Sequence, residues 1–506
     1  MGAETELKLH ISPADARRVS RLGLLRGIKP TTQQLENVYY DTADHALATQ
    51  RIALRHRRIG DTWLITVKGS KVSKGGLSTR LEWEYPCKPH VLDFSGIDKK
   101  SVRDLLEDLR PQLTPLFATN FRRRAWIFEP HQNLSIEIAL DEGEIIARPP
   151  GIDSTYPLTR PICELELELK HGDTPALFEI ARRLADKLAL LPMNESKAQR
   201  GQRLFRGIAD RPQSALPSAL DIKLTPLDAF RDLAHDCLNH FLANADGVRS
   251  SDDAEYIHQA RVALRRLRAL MRLFAPVLPY EFASRYNEGW RYFANQLGDA
   301  RDFDVLVEET LPSISRHYEG HDAIEAFVKY AHDCRQQAHE TARASFHSTE
   351  LGQLTLSFLN DLTVLPPHDA LPELAPLAKK RLKKSLSCIR RNAKDIGQKS
   401  IDELHRLRIR FKRLRYGVEF FAPLYPADAI QTYLAELKAI QEILGNINDM
   451  ERALSVEAKA PEAVRCELIS GWLSATQQAL IATLPDVTKR FTERRAPWEK
   501  NKKHAA

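Results

Sequence analysis

The sequence lacks any apolar run long enough to span a membrane. No stretch of its 506 residues approaches the roughly 20 consecutive apolar residues that cross a bilayer. The N-terminus, MGAETELKLH, also lacks the basic and then apolar layout of a signal peptide. We therefore expect a cytoplasmic protein without membrane contact.

Cysteines are also few, and they lie far apart. None of the six forms a CxxC pair or has the spacing of a zinc site. The spacing therefore suggests neither a disulfide framework nor a structural zinc centre. We expect reduced thiols, most of them buried.

The composition is that of a globular protein with more than one domain. Hydrophobic residues make up 43% of the chain and charged residues 28%, which is enough for packed cores and a charged surface. A chain of 506 residues exceeds the size at which single cores stop growing. The formal net charge of +7 is modest, so the placement of the charges matters more than their sum.

The first 170 or so residues repeatedly alternate between polar and apolar side chains, which is typical of β-strands. Helices are predicted from Pro13, with Ser12 as N-cap, and over Thr174–Leu191. The predicted strands are Thr5–Leu9, Ile52–Arg58, Trp63–Lys68, Leu77–Pro86, Phe121–Phe128, Ser135–Asp141 and Cys163–Lys170.

Beyond a Pro-, Ser- and Ala-rich stretch, the chain follows the 3.6-residue period of α-helices. The sequence therefore predicts an α+β protein of two domains. The expected boundaries are a strand-rich domain over 1–205, a linker over 206–222, an all-α domain over 223–490 and a basic tail over 491–506.

One face of each predicted strand is charged. In the first strand, Glu4, Glu6 and Lys8 share a face, and Thr5 and Leu7 lie on the other. Taken alone, such a strand fits an antiparallel sheet with a core face and a solvated face. Because seven strands cluster carboxylates with cations, the charged face can instead line a wet channel inside a closed barrel.

A lumen with both kinds of charge suits a polyanion that arrives with a hard divalent cation. Carboxylates such as Glu4 and Glu6 offer oxygen ligands to Mg²⁺ or Mn²⁺, and guanidinium groups bind phosphate oxygens. Phosphoryl transfer depends mainly on alignment and on neutralised charge. The pattern therefore favours phosphoanhydride chemistry.

The order of these motifs resembles the CYTH superfamily, the triphosphate tunnel metalloenzymes. Glu4–Lys8 matches the ExExK motif of that superfamily. The further matching motifs are Tyr39–Thr42, Leu54–Arg57, Thr66–Gly69, Glu82 with Glu84, Arg122–Arg124, Asp141, Glu164 with Glu166 and Glu168, and Ser196 with Lys197.

The resemblance implies an eight-stranded antiparallel tunnel with flanking helices and a set of site residues. Glu4, Glu6 and Lys8 are the implied catalytic residues. The implied triphosphate-binding residues are Lys8, Arg55, Arg57, Lys68, Arg122, Arg124 and Lys197, and the implied metal ligands are Glu4, Glu6, Asp141, Glu164, Glu166 and Glu168. Which member of the later glutamate strand binds metal, and which of Arg122 and Arg124 faces inward, stays open.

The helical region contains an internal repeat. The segment Ile257–Phe274 aligns without gaps over Leu404–Phe421, so His258 lies over His405, 147 residues later. Two helical bundles related by a pseudo-twofold axis are the natural prediction. Each repeat carries a basic stripe beside an apolar one, namely His258, Arg261, Arg265 and Arg268, and then His405, Arg408, Lys412 and Arg415.

A single basic stripe fits a solvated helix surface, but two copies together would form a basic groove. The paired motifs resemble the CHAD family, whose members are helical and associated with inorganic polyphosphate. Nucleic acid is the competing ligand; the stacking aromatics that single-strand binders use are scarce on these helices. We expect polyphosphate to bind at the eight stripe residues.

The combination of both domains resembles bacterial inorganic triphosphatases, which implies hydrolysis of inorganic triphosphate to pyrophosphate and phosphate with Mg²⁺ or Mn²⁺. Two other functions remain open. The chain could be a polyphosphate-binding scaffold without catalysis, or its tunnel could serve a nucleotide triphosphatase, a thiamine triphosphatase or an adenylate cyclase.

Overall fold

The computed structural model describes residues 2–69, 72–150, 156–366 and 373–499. The chain divides into two compact units. The barrel unit consists of residues 1–211 together with 347–365, and the helical unit consists of residues 212–346 and 366–506. A short segment from the second half of the sequence therefore packs with the first half.

The strands of the barrel unit are all paired antiparallel. In the described part of the chain they are β1 (Gly2–His10), β2 (Thr31–Asp41), β3 (Ala53–Ile59), β4 (Thr62–Lys68), β5 (Val72–Lys74), β6 (Leu77–Pro86), β7 (Thr114–His131), β8 (Leu134–Ala147), β9 (Leu158–His171) and β10 (Leu191–Pro192).

Eight of these strands close into a barrel. The order around it is β1, β9, β8, β7, β2, β3, β4 and β6, and β6 returns to pair with β1. The remaining two strands lie at the margins, β5 on β6 and β10 on β1. Side chains alternate between lumen and exterior along each strand, so closure confines the charged face of the predicted sheet to the lumen. The predicted barrel is confirmed.

Helices flank the barrel. They are α1 (Pro13–Ala16), α2 (Ala46–Thr49), α3 (Lys100–Leu109), α4 (Thr174–Ala185) and α5 (Lys197–Phe205). The predicted N-cap of α1 is confirmed, since the Ser12 hydroxyl accepts a hydrogen bond from the Asp15 amide at 3.1 Å. The second predicted helix ends at Ala185 rather than at Leu191, because Leu191 and Pro192 pair with β1 instead.

All seven predicted strands are present. Strand β2 was not predicted, because its first half, TTQQ, does not alternate in polarity. The polar stretch that was expected to be a linker contains no helix or strand from 208 to 221.

The helical unit, as far as it is described, begins with α6 (Pro226–Ser250) and contains only helices. The others are α7 (Ala254–Leu273), α8 (Tyr280–Asp304), α9 (Leu311–His317), α10 (Asp322–Phe346), α12 (Leu374–Asn392), α13 (Ile401–Phe420), α14 (Ala427–Lys459) and α15 (Glu467–Glu493), while α11 (Thr349–Val364) belongs to the barrel unit. A π-helical turn, Val305–Thr310, joins α8 to α9.

The sequence repeat is visible in the order of the helices. Helices α6, α7, α8 and α10 recur in the same order as α12, α13, α14 and α15, and the two repeat helices α7 and α13 each contain 20 residues. Their apolar stripes are buried as predicted, with Leu264 and Leu267 at 0% exposure in α7. The all-α prediction for this region is confirmed.

The expected C-terminal tail is described only in part. Helix α15 continues to Glu493, and Trp498 is buried against Tyr433 with 5.1 Å between the ring centroids. Residues 500–506, which hold the remaining basic residues of that tail, lie outside the described residues.

Candidate functional site

The barrel lumen is a charged cavity of about 430 Å³. Eight cations and seven carboxylates line it, so the charges nearly cancel. The cations are Lys8, Arg55, Arg57, Lys68, Arg80, Arg123, Lys170 and Lys197, and the carboxylates are Glu4, Glu6, Glu82, Glu84, Glu137, Glu166 and Glu168. The predicted charged channel is present.

The ExExK strand places its three charged groups side by side in the lumen. The Lys8 ammonium lies 2.5 Å from a Glu6 carboxylate oxygen and 2.9 Å from Glu166 on the neighbouring strand. Burial by itself would lower the pKa of Lys8, but Glu166 and Glu6 raise it above its ordinary value. Lys8 is therefore a permanent cation at physiological pH.

Arg80 on β6 connects the two glutamates of this strand. Its guanidinium donates to Glu4 at 2.8 Å and to Glu6 at 2.6 Å, and the Ser78 hydroxyl adds a bond to Glu6 at 3.0 Å. Burial would raise the pKa of Glu4, but Lys68 and Arg80 hold it below its ordinary value. Both carboxylates are therefore ionised and offer oxygen donors.

Glu4 and Glu82 form a pair of adjacent carboxyl groups. Burial and the neighbouring Glu4 raise the pKa of Glu82, although Lys68 lies 3.0 Å away. Two ionised carboxyl groups this close repel each other, so a cation bound between them would be favoured. The donor set of Glu4, Glu6 and Glu82 therefore fits a hard divalent ion.

Two arginines of β3 line the lumen. They are Arg55 and Arg57, and they share Glu84, at 3.7 Å and 3.2 Å. The Nε atom of Arg55 is buried without a hydrogen-bond partner, and burial together with Arg55 lowers the pKa of Arg57 to about 10. The Arg55 guanidinium therefore has a donor to spare for a phosphate oxygen.

A second carboxylate group lies at the end of the lumen where α5 begins. Asp141, Glu164 and Glu166 each offer an oxygen within 4.8 Å of the others, a spacing that could hold a metal ion. In the structure, Lys197 contacts all three, at 2.6 Å from Asp141 and 3.1 Å from Glu166. Arg200, one turn along α5, also binds Glu164.

Arg123 completes this group. It donates two hydrogen bonds to Asp141, at 2.8 Å and 2.7 Å, and one to Glu166 at 2.5 Å. Burial would raise the pKa of Asp141, but Arg123 and Lys197 hold it below its ordinary value. Asp141 and Glu164 are therefore already neutralised by side chains of the chain itself.

The structure corrects the sequence expectation that Arg122 or Arg124 faces the lumen. Both point away from it and bind Glu142 on the outside of the barrel, at 3.2 Å and 3.0 Å. Arg123 faces inward, in register with Asp141. Three consecutive arginines leave the alternation ambiguous, and the buried Trp126, two residues after Arg124, lies on the same outward face.

The other predicted tunnel residues line the lumen or lie directly behind it. Glu4, Glu6, Lys8, Arg55, Arg57, Lys68, Glu166, Glu168 and Lys197 line the cavity, and Asp141 and Glu164 are fully buried behind Lys197. Sequence reasoning did not assign site roles to Arg80, Glu82, Arg123 and Arg200. The first two could have been found, since they alternate on one strand with Glu84.

The two repeat helices bring five cationic or ionisable groups into one cluster. We call His258, Arg261, Arg265, Arg408 and Lys412 the basic face, because each of them shifts the pKa of another member or has its own pKa shifted by one. Two further arginines, Arg301 and Arg452, influence the same cluster and were not predicted.

The groups of the basic face repel one another. Burial and Arg265 lower the pKa of Lys412 to about 6, and burial and Arg301 lower that of His258 to about 4. The Nδ1 atom of His258 and the Nε atoms of Arg265 and Arg408 are buried without hydrogen-bond partners. Partial relief comes from Asp449, 3.8 Å from Arg408.

The remaining predicted polyphosphate residues lie at the margins of the basic face. Arg268 interacts with Arg272 and Arg291 and has its pKa lowered to about 10 by burial and Arg272. His405 contacts Asn448 at 2.6 Å. Arg415 is engaged by Glu419 at 2.7 Å, on the same helix.

Comparison with known proteins accounts for both units. The CYTH domain model matches residues 2–202, and the CHAD domain model matches residues 232–456. The chain is a CYTH domain followed by a CHAD domain. The charged lumen is thus the lumen of the CYTH domain, and the basic face lies within the CHAD match.

Individual relatives cover one or both domains. The inorganic triphosphatase of Haemophilus influenzae is 33% identical over 202 residues, which are 39% of this chain and 54% of that protein. The match thus spans about half the length of that relative. An uncharacterized protein of Mycobacterium tuberculosis is 26% identical over 439 residues, 83% of this chain and 80% of its own length.

A solved structure resembles the helical part. The crystal structure of the CHAD domain from the plant Ricinus communis superposes with a TM-score of 0.50 and 28% sequence identity, over 57% of this chain and 99% of that one. Among the helices described, none is both long and apolar enough to cross a membrane.

Proposed function

We propose that the CYTH domain hydrolyses inorganic triphosphate to pyrophosphate and phosphate. The observation that carries the proposal is the lumen, where eight cations and seven carboxylates line a cavity of about 430 Å³. A triphosphate with a divalent cation supplies the complementary charges. The relationship to the inorganic triphosphatase of Haemophilus influenzae supports the same substrate.

The lumen cations would bind and orient the substrate. Arg55 has an unused donor beside Arg57, and Arg123 and Lys197 line the same lumen. Fixed cations also stabilise the charge that develops on phosphoryl oxygens as the phosphoanhydride bond breaks. Water supplies the oxygen of the new bond, and pyrophosphate leaves.

The lumen carboxylates would hold the metal. Glu4, Glu6 and Glu82 are the proposed ligands, because they line the open cavity, whereas Asp141 and Glu164 are fully buried. A bound Mg²⁺ or Mn²⁺ would supply charge neutralisation and would activate water. Arg80, which bridges Glu4 and Glu6, holds the two carboxylates in place.

We also propose that the basic face of the CHAD domain binds inorganic polyphosphate. Several of its buried nitrogen atoms have no hydrogen-bond partner, and neighbouring cations lower the pKa of Lys412. A dense linear anion would supply hydrogen-bond acceptors and relieve the repulsion between these cations. Competition between long-chain polyphosphate and RNA at matched salt tests this preference. Equal affinities would contradict it.

A substrate panel tests the catalytic proposal. Purified full-length protein is incubated with triphosphate, ATP, thiamine triphosphate or long polyphosphate, each with Mg²⁺ and with Mn²⁺. We expect triphosphate to release phosphate fastest. Faster turnover of an organic triphosphate, or formation of cyclic AMP from ATP, would replace the proposed substrate, and no turnover would leave a binding scaffold.

A further inference from the structure

Helix α11 belongs to one domain by sequence and to the other by packing. The CHAD match over 232–456 includes it, yet residues 347–365 form part of the barrel unit. It connects the two repeats, after α10 and before α12, and among the described helices it has no counterpart in the second half. It is therefore not needed to complete either set of repeated helices.

The apolar side of α11 is buried against the barrel unit. Leu351, Leu356, Leu359 and Leu362 are all 0% exposed, and the helix packs on α4 and β10. Gly352 touches the Leu190 carbonyl so closely that a Cβ there would overlap it. The Gln353 side chain donates to Asp186 at 2.8 Å. This is a tightly fitted contact.

Leu359 rests on the turn that precedes β6. The turn is formed by Gly75 and Gly76, both with positive φ, +59° and +82°, and a Cβ on Gly75 would collide with Leu359. The helix thus fixes a turn that only glycine can form without strain.

This turn is hydrogen-bonded directly to the lumen strand. The Lys8 amide donates to the Gly76 carbonyl at 3.1 Å, and the Lys8 carbonyl accepts from the Met193 amide at 2.9 Å. The Gly76 amide in turn donates to the Asn194 side chain at 2.7 Å. The segment through Met193 and Asn194 leads to Lys197 at the start of α5, so one small network joins α11 to two lumen lysines.

We propose that α11 is a positioning brace for the CYTH active site, contributed by the segment between the two CHAD repeats. By pressing on the Gly75–Gly76 turn it holds the backbone at Lys8 and at the entry to α5. The tunnel site consequently requires a segment that lies outside the CYTH match. The catalytic part of this inference rests on the proposed triphosphatase function, whereas the structural part does not.

The test compares three variants of the full-length chain. Leu359→Ala removes the contact with the turn, Leu359→Met preserves its volume, and Val364→Ala is a matched control on the same helix, where the side chain is 52% exposed. Hydrogen exchange is followed at the Lys8, Gly76 and Met193 amides. The Arg55 amide on β3 reports on the barrel away from the turn.

We expect Leu359→Ala to speed exchange at Lys8, Gly76 and Met193 by roughly tenfold or more, while exchange at Arg55 changes little, because the brace acts locally. Triphosphate turnover should fall about tenfold at saturating substrate through the displaced lysines. Leu359→Met and Val364→Ala should behave like the unaltered chain in both measurements.

Three outcomes would decide the matter differently. Equal loosening at Arg55 and Lys8, with unchanged turnover per folded molecule, would reduce α11 to general stabilisation and overturn the proposal. Local loosening without any triphosphatase activity in the unaltered chain would defeat the proposed function but keep the brace. If Leu359→Ala does not fold, the unaltered chain must show α11 and these three amides opening at one common rate, and separate rates would overturn the inference.

Discussion

The lumen of the CYTH domain and the basic face of the CHAD domain handle positive charge in opposite ways. In the lumen, most cations are paired with carboxylates on their own or a neighbouring strand, as Lys8 is with Glu6 and Glu166. On the basic face, Arg265 and Lys412 mainly meet other cations, and the Lys412 pKa falls to about 6. One region is compensated and the other is electrostatically strained.

The difference bears on what each region can recognise. A compensated lumen favours a ligand that replaces existing ion pairs, which a phosphate chain with a divalent cation does. A strained face favours any dense anion that relieves the repulsion, so its affinity should depend steeply on salt. We therefore expect the lumen to discriminate between phosphate ligands and the basic face to accept many dense anions.

Removing a carboxylate from the lumen should have the largest effect on catalysis. Glu6→Gln should lower triphosphate turnover by roughly 1,000-fold, because it removes a proposed metal ligand and leaves Lys8 and Arg80 without their shared partner. Released phosphate is measured with Mg²⁺. Glu36→Gln, an exposed glutamate on β2, is the matched control and should retain full turnover.

The inward arginine gives the next largest effect. Arg123→Gln should lower turnover by roughly 100-fold, since it removes a lumen cation and uncovers Asp141. Arg124→Gln, on the outer side of the same strand, should change turnover less than about twofold. Equal losses in both variants would contradict the facing of β7, and Arg123→Lys should recover part of the activity.

A substitution on the basic face should weaken binding of polyphosphate and at the same time raise the stability of the folded chain. Lys412→Met should weaken polyphosphate binding by roughly tenfold at low salt and should stabilise the folded chain by about 1 kcal/mol, because it removes a buried amine whose protonation is opposed by neighbouring arginines. Isothermal titration and thermal unfolding measure the two effects. The exposed Lys438, paired with Glu442 at 3.7 Å, supplies the control Lys438→Met, which should alter neither.

The smallest expected effect is a pH dependence of that binding. Lys412 is largely neutral at pH 7 in the free domain, since its pKa is about 6, and a bound polyanion raises this pKa. Binding therefore takes up a proton above pH 6, and the affinity should fall as the pH rises from 6 to 8, by less than about tenfold per unit. Below pH 6 the effect of Lys412 on affinity should level off. Lys412→Met should remove the part of the pH dependence that this residue causes.

The folded chain should respond to pH with the opposite sign at this residue. The pKa of Lys412 is depressed from 10.5 to about 6 on folding, so the unfolded chain binds more protons between these values. The contribution of Lys412 to stability therefore increases as the pH rises through this window. Comparing unfolding of the unaltered chain and Lys412→Met from pH 6 to pH 9 measures it, and a difference that does not change with pH would contradict the depressed pKa.

Sequence reasoning reached the architecture because period-two alternation and helical periodicity are local properties. The barrel, the helical repeats and most lumen residues could be predicted from these patterns and from the family resemblance. The inward direction of Arg123 could not, since three consecutive arginines offer no alternation and the pairing with Asp141 is a cross-strand property. The packing of α11 on the barrel unit is also tertiary, and nothing in its own helical period indicates it.

Phosphorus NMR of the full-length chain with triphosphate and Mg²⁺ tests the proposed hydrolysis of triphosphate most directly. A CYTH domain that acts as an inorganic triphosphatase should convert triphosphate into equal amounts of pyrophosphate and phosphate, and Glu6→Gln should leave the triphosphate signals unchanged. If those signals persist with the unaltered chain in the presence of Mg²⁺ and also of Mn²⁺, the proposed triphosphatase activity is wrong.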